Sequence, residues 1–290
     1  MPCYHPLRAY RKVGAYDPVS GKWPLTFKRS EGWIESALDV PCGKCVGCRL
    51  DYARSWAVRC MHEAKLHSSN CVITLTYDDD HLPLNGSLDK RSMQNWLKIL
   101  RNNIGSFRYF GCGEYGNFGN RPHYHICLFG YDFPDKKLVT RHLGNPQYES
   151  QLLRNIWHKG HVSVGDLSFA SAAYIARYCF KKQFKKEGVT PCCRQPEYIL
   201  MSNRPGIGAG YVDRYASDLV SAKSVVYGLG QKAKIPKYYE GRLSPDDLQT
   251  IKAARLEHQL LESPLRTSQR ELSAAMRLQS YKRSFEDETN

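Results

Sequence analysis

The chain has 290 residues, 42% hydrophobic and 24% charged, with a formal charge of +14. That apolar content supports a packed core, and no apolar run approaches the roughly 20 residues of a membrane-spanning helix. The positive excess favours a polyanionic partner, nucleic acid above all.

The opening Met1-Pro-Cys-Tyr-His-Pro6 lacks the apolar stretch of a secretory signal, and the eleven cysteines are an odd number. Reduced thiols in a cytoplasm are therefore expected. Residues 1–40 read as irregular, with prolines at 2, 6, 18 and 24. Cys42-Gly-Lys-Cys45-Val-Gly-Cys48 then spaces three thiols closely enough to share a metal. Cys3 offers a fourth ligand, with His5 and Cys60 as other candidates. A structural Zn²⁺ there would pin the N-terminal segment to the first helix. Part of an iron–sulfur site and three reduced cysteines in a turn are the competing readings.

A helical period runs from about Arg49 to His67. Cys71-Val-Ile-Thr-Leu-Thr-Tyr77 is a β-branched strand ended by Asp78-Asp79-Asp80, a solvated acidic turn or a second cation site. Leu88 to Asn103 is an amphipathic helix carrying Met93, Trp96, Leu97 and Leu100. Two strands follow, 107–116 and 123–129, the first holding Gly113-Glu-Tyr-Gly116 and the second closed by Gly130. Tyr148–Trp157 reads as a helix, His161–Gly165 as a strand, and Ser168 to about Phe184 as a helix capped by Ser168 or Ser171. Residues 185–240 are rich in loop formers. Helices are expected at 244–262, opening on Ser244-Pro-Asp-Asp247, and from about Pro264 to Phe285.

The order strand, helix, strand, strand, helix, strand, helix predicts one antiparallel sheet with helices on one face, a ferredoxin-like (RRM-like) α+β arrangement. Three segments are expected: a cysteine-rich segment and helix (1–69), a core (70–185), and a loop-rich and helical C-terminal region (186–290).

The chemistry concentrates in two places. His123 and His125 are two apart on a strand, so both imidazoles emerge on one face, spaced to hold one metal ion. Glu114, on the preceding strand, is the third candidate ligand. A pair of surface histidines on an edge strand is the plainer alternative. The second place is the helix Tyr174-Ile-Ala-Arg-Tyr178-Cys-Phe-Lys181. Tyr174, Tyr178 and Lys181 fall on one stripe, unless their rings and stems simply pack against the protein. A phenol ionises only near pH 10, so attack on a phosphodiester needs a cation to offset developing charge and an ammonium to favour phenolate.

Val72-Ile-Thr-Leu-Thr-Tyr77, Arg121-Pro-His-Tyr-His125 and Tyr174-x-x-x-Tyr178-x-x-Lys181 resemble the three ordered motifs of HUH endonucleases that start rolling-circle replication. Cys42–Asp51, Gly113–Gly116 and Ser202-Asn-Arg-Pro-Gly-Ile-Gly208 look more specifically like the initiators of Microviridae phages of the gokushovirus type. The resemblance covers roughly residues 40–210. It implies that Glu114, His123 and His125 bind catalytic Mg²⁺ or Mn²⁺. It implies further that Tyr174 and Tyr178, assisted by Lys181, nick and rejoin origin DNA through a 5′-phosphotyrosine. The expected partner is single-stranded or locally melted origin DNA in the bacterial host cytoplasm.

No Gly-x-x-x-x-Gly-Lys-Ser/Thr occurs, and Gly206-Ile-Gly-Ala-Gly210 lacks that pattern. A host helicase is therefore expected, and the resemblance implies a host polymerase that extends the freed 3′ hydroxyl. The basic C-terminal helices are either phosphate contacts or solvated faces. The rivals are a relaxase or transposase of the same chemistry, and a non-catalytic, zinc-stabilised nucleic-acid-binding protein. Two histidines and a carboxylate also describe an oxygenase iron site, but that chemistry would use neither the tyrosines nor the charge.

Overall fold

A computed structural model describes residues 3–18, 23–116, 120–142, 144–181, 194–228, 230–260 and 267–286; the side chains of 142, 178–181, 256–260, 267 and 278–286 are outside this description. Two compact units emerge, Met1–Asp51 with Ser263–Leu278, and Tyr52–Glu262 with Gln279–Asn290.

The first unit is more ordered than its prolines suggest. Strands β1 (Leu7–Arg11), β2 (Leu25–Thr26) and β3 (Leu38–Val40) form an antiparallel sheet in the order β2-β1-β3. Strands of two to five residues carry too little alternation to be read from sequence. Gly32 is required there, because a Cβ would lie 2.2 Å from that of Tyr10. The rings of Tyr16, Trp23 and Trp33 pile in series, with centroids 5.0 and 4.7 Å apart. Helix α1 (Val46–Ala64) opens at the cysteine segment.

The second unit is built on a seven-stranded antiparallel sheet. Its strands are β4 (Asn70–Thr76), β5 (Arg108–Tyr115), β6 (Pro122–Phe129), β7 (Lys137–His142), β8 (Asn145–Glu149), β9 (Val162–Asp166) and β10 (Tyr198–Met201), in the order β10-β5-β6-β4-β9-β8-β7. The expected α+β class is what is found. The β7–β8 hairpin and β10 are additions that sequence reading missed.

Helices α2 (Lys90–Ile104), α3 (Gln151–Trp157) and α4 (Phe169–Lys181) flank the sheet. They do so on both faces, not one. Met93, Trp96, Leu97 and Leu100 of α2 and Leu153, Ile156 and Trp157 of α3 pack with Ile73, Leu75, Tyr124, Ile126 and Leu128. On the opposite face Trp56, Ala57 and Cys60 of α1 and Ala172, Ile175 and Ala176 of α4 pack with Phe110, Cys112, Cys127 and Phe129. Strand β6, buried along its whole length, divides its odd and even residues between the two layers.

Caps set the boundaries. Asp89 accepts from the N–H groups of Arg91 and Ser92 to start α2. Ser150 accepts from Leu153 N–H and starts α3, so the expected helix over 148–157 is the end of a strand followed by a shorter helix. Ser168, rather than Ser171, caps α4.

The remaining elements are α5 (Ala209–Ala222), β11 (Val225–Gly228), β12 (Gln231–Ala233), α6 (Lys237–Glu240), α7 (Pro245–Leu260) and α8 (Thr267–Glu286). In the second unit they build a further cluster of Val58, Val212, Leu219, Ile235, Tyr239 and Ile251.

Candidate functional site

Register brings the strand candidates together. Glu114 on β5 stands opposite His123 on β6, and Thr76 of β4 faces His123 from the other side. One row along, Cys112, His125 and Thr74 align in the same way. All these side chains share the sheet face covered by α1 and α4. Glu114, His123 and His125 are each under a tenth exposed.

The two imidazoles are held differently. His125 Nε2 meets Glu114 Oε1 at 2.9 Å, and its Nδ1 meets Thr74 Oγ1 at 3.0 Å. His123 Nδ1 lies 2.6 Å from the Arg121 carbonyl. A carbonyl only accepts, so Nδ1 carries the proton and Nε2 keeps its lone pair. Burial, foremost, pushes the His123 imidazole below its ordinary range; the Arg121 carbonyl bond opposes this, and the charges of His125 and Arg121 add to it. It therefore stays neutral, the form that ligates metals.

Two imidazoles and one carboxylate are a donor set suited to Mn²⁺, and acceptable to Mg²⁺ with water completing the shell. The donor atoms of Glu114, His123 and His125 do not all lie within 4.8 Å of one another. His123 is turned along its own strand, beside Gly116, where a Cβ would sit 2.7 Å from its Cε1.

Helix α4 roofs this face. The Tyr174 ring stands edge-on to the His125 ring, with centroids 5.5 Å apart and planes at 87°. The Arg177 guanidinium lies 5.7 Å from the Tyr174 ring centre. Tyr178 and Lys181 belong to α4, but their side chains lie outside the described residues. Sequence reasoning missed Thr74 and Arg177. The threonine signal was available, since it is two residues from Thr76 in a strand that must pair beside the histidines.

In the first unit, the sulfurs of Cys3, Cys42, Cys45 and Cys48 all lie within 4.8 Å of one another and could hold a metal ion. Main-chain N–H groups point at them. Cys42 N–H donates to Cys3 Sγ at 3.2 Å, Cys45 N–H to Cys42 Sγ at 3.3 Å, and Tyr4 N–H to Cys45 Sγ at 3.4 Å. Burial raises the Cys45 thiol, but the N–H groups of Cys48 and Tyr4 and the neighbouring thiols outweigh it and hold it at about 6. Of the proposed fourth ligands, Cys3 is the one placed here. His5 meets Glu271 at 2.9 Å, and Cys60 is buried in the α1–α4 layer of the second unit.

Other motifs have structural explanations. Asp79 pairs with Arg121, and Asp78 hydrogen-bonds His81 at 2.7 Å, so two carboxylates of the acidic turn already have side-chain partners. The segment 202–208 ties α1 to β5. Ser202 exchanges bonds with the Tyr109 main chain, Arg59 donates to the Ile207 carbonyl at 3.0 Å, and Gly208 N–H donates to Glu63 at 2.6 Å.

Residues 70–183 match the protein family described as replication-associated protein ORF2/G2P. That match points to replication proteins as the class. The chain is 32% identical over 217 residues to replication-associated protein VP4 of Bdellovibrio phage phiMH2K, covering 71% of this chain and 67% of that one. It is 35% identical over 219 residues to replication-associated protein ORF2 of Spiroplasma virus 4, covering 70% and 67%. Replication-associated protein ORF4 of Chlamydia phage 1 is 27% identical over 217 residues, covering 71% and 54%. No solved structure matches. The chain belongs to the replication-associated proteins of these Microviridae phages.

Proposed function

We propose that the protein initiates phage replication by nicking and rejoining origin DNA through a tyrosine–phosphate intermediate. The observation that carries this reading is the Tyr174 ring set edge-on against His125, on the sheet face that also holds Glu114 and His123. A bound Mg²⁺ or Mn²⁺ would polarise the phosphodiester and offset charge in the transition state.

The protein's own groups do the rest. Tyr174 or Tyr178 gives its phenolic proton to solvent and attacks phosphorus. The bond from phosphorus to the 3′ oxygen breaks, and that oxygen leaves as a hydroxyl after protonation from solvent. The 5′ phosphate stays on tyrosine, so the phosphoester is conserved for rejoining. Lys181 and Arg177 favour the phenolate electrostatically. The freed 3′ hydroxyl primes a host polymerase, and a host helicase separates the strands. The reaction takes place in the bacterial cytoplasm; no helix among the described residues is long and apolar enough to cross a membrane. At Cys3, Cys42, Cys45 and Cys48 we assign a structural Zn²⁺, which four thiolates suit.

A relaxase or transposase would use the same chemistry on other DNA. The shared description of the relatives favours an initiator. The test is incubation with single-stranded origin DNA and Mn²⁺ or Mg²⁺, followed by denaturing electrophoresis for a covalent adduct. EDTA and His123→Ala should each abolish it. Tyr174→Phe combined with Tyr178→Phe should remove it, and an adduct surviving in that variant overturns the assigned nucleophiles.

A further inference from the structure

Beside His125 and Tyr174 the same sheet face dips into a cleft of about 140 Å³. Register explains the hollow. Gln147, Gly165, Val72 and Cys127 form one row across β8, β9, β4 and β6, and Ser163, Thr74 and His125 form the next. Glycine in mid-strand costs packing and frequently marks the close approach of a ligand. A Cβ on Gly165 would meet only the Pro146 carbonyl, at 3.9 Å, so the hollow is open above it. Tyr174 and Ile175 of α4 close one side.

We propose that this cleft receives one unstacked nucleobase of the DNA strand, adjacent to the phosphodiester that is cut; this rests on the nicking function proposed above. The volume suits a single ring system rather than a complete small-molecule site of several hundred Å³. Gln147 and Ser163 line it with a side-chain amide and a hydroxyl, each able to donate and to accept. Unpaired bases are recognised in this way, by edge hydrogen bonds to a base splayed out of its stack. Occupation would hold the neighbouring phosphate at His125 and Tyr174, so the cleft contributes both sequence preference and cleavage position.

The test uses the full-length protein, Mn²⁺ and origin oligonucleotides carrying a single abasic site at each position around the nick. Adduct formation and binding anisotropy are both read. One position should lower the wild-type adduct rate and affinity by about tenfold or more. Gly165→Val fills the cleft with a strand-favouring side chain, and Gln147→Ala removes a polar contact. Both should bind the intact oligonucleotide less tightly and lose most of that position's abasic penalty, while melting like the wild type. Uniform response to all abasic positions, or an unchanged penalty in both variants, overturns the base cleft and leaves the nicking reading standing. Absence of adduct with every oligonucleotide overturns the nicking reading instead, and anisotropy still decides the cleft.

Discussion

His125 is held at both ring nitrogens, by Glu114 and by Thr74, and the second contact has a measurable consequence. Thr74→Val keeps the shape and removes the oxygen. Loss of such an orienting partner typically weakens metal binding 10–100-fold, so Mn²⁺ titration of the variant should show a drop of that order with little change in melting temperature. Unchanged affinity would exclude Thr74 as the group that sets the ring. Gly116→Ala tests the other imidazole. Its Cβ would press on the His123 ring, so adduct formation should fall sharply while urea denaturation changes by about 1 kcal/mol or less.

His62 is a different case, buried with its ring stacked on Tyr211 and bonded to Tyr239 Oη and the Val226 carbonyl. Burial, partly opposed by the Val226 bond and aided by Lys65, depresses its imidazole from 6.5 to about 4. The unfolded chain takes up this proton first. Stability from the neutral ring is therefore complete above about pH 6.5 and is lost as pH falls toward 4, by roughly 3 kcal/mol in total. Urea melts across that window should show the slope, and His62→Gln should flatten it.

At the scale of elements, α1 and α4 depend on one sheet face. Phe110 stacks on Trp56 with centroids 4.7 Å apart and is fully buried. Phe110→Ala should cost about 3–5 kcal/mol, read by chemical denaturation; a loss below 1 kcal/mol would mean that the layer collapses to refill the space. Helices α1 and α2 were legible from apolar periods that run over several turns, and β4, β5 and β6 from runs of strand formers closed by turn residues. The β7–β8 hairpin was not. Pro146 argues against a strand, yet it lies outside the pair of β8 residues, Gln147 and Tyr148, that bond to β9, so its missing N–H breaks no pairing on that side. Strand β10 was hidden because Tyr198–Met201 is short and finds its partner β5 more than eighty residues away.

For the whole molecule, the charge of +14 predicts DNA binding that weakens steeply with salt. Raising salt from about 50 to 200 mM should lower affinity roughly a thousandfold if six or more phosphates are neutralised, as titration by anisotropy would show. A shallow dependence would assign the charge to solubility instead. A Zn²⁺ chelator should expose residues 3–51 to limited proteolysis while the sheet of the second unit keeps its resistance.

Local chemistry in the sequence determined the α+β class, the shared face of His123 and His125, and the thiol spacing of Cys42, Cys45 and Cys48, because strand period and short spacings are set within a few residues. Only the tertiary structure decided that Cys3 closes the thiol group, that helices cover both faces of the sheet, and that Tyr174 lies against His125 beside an open cleft. Those outcomes depend on strand register and helix packing between segments tens of residues apart, which no local pattern encodes.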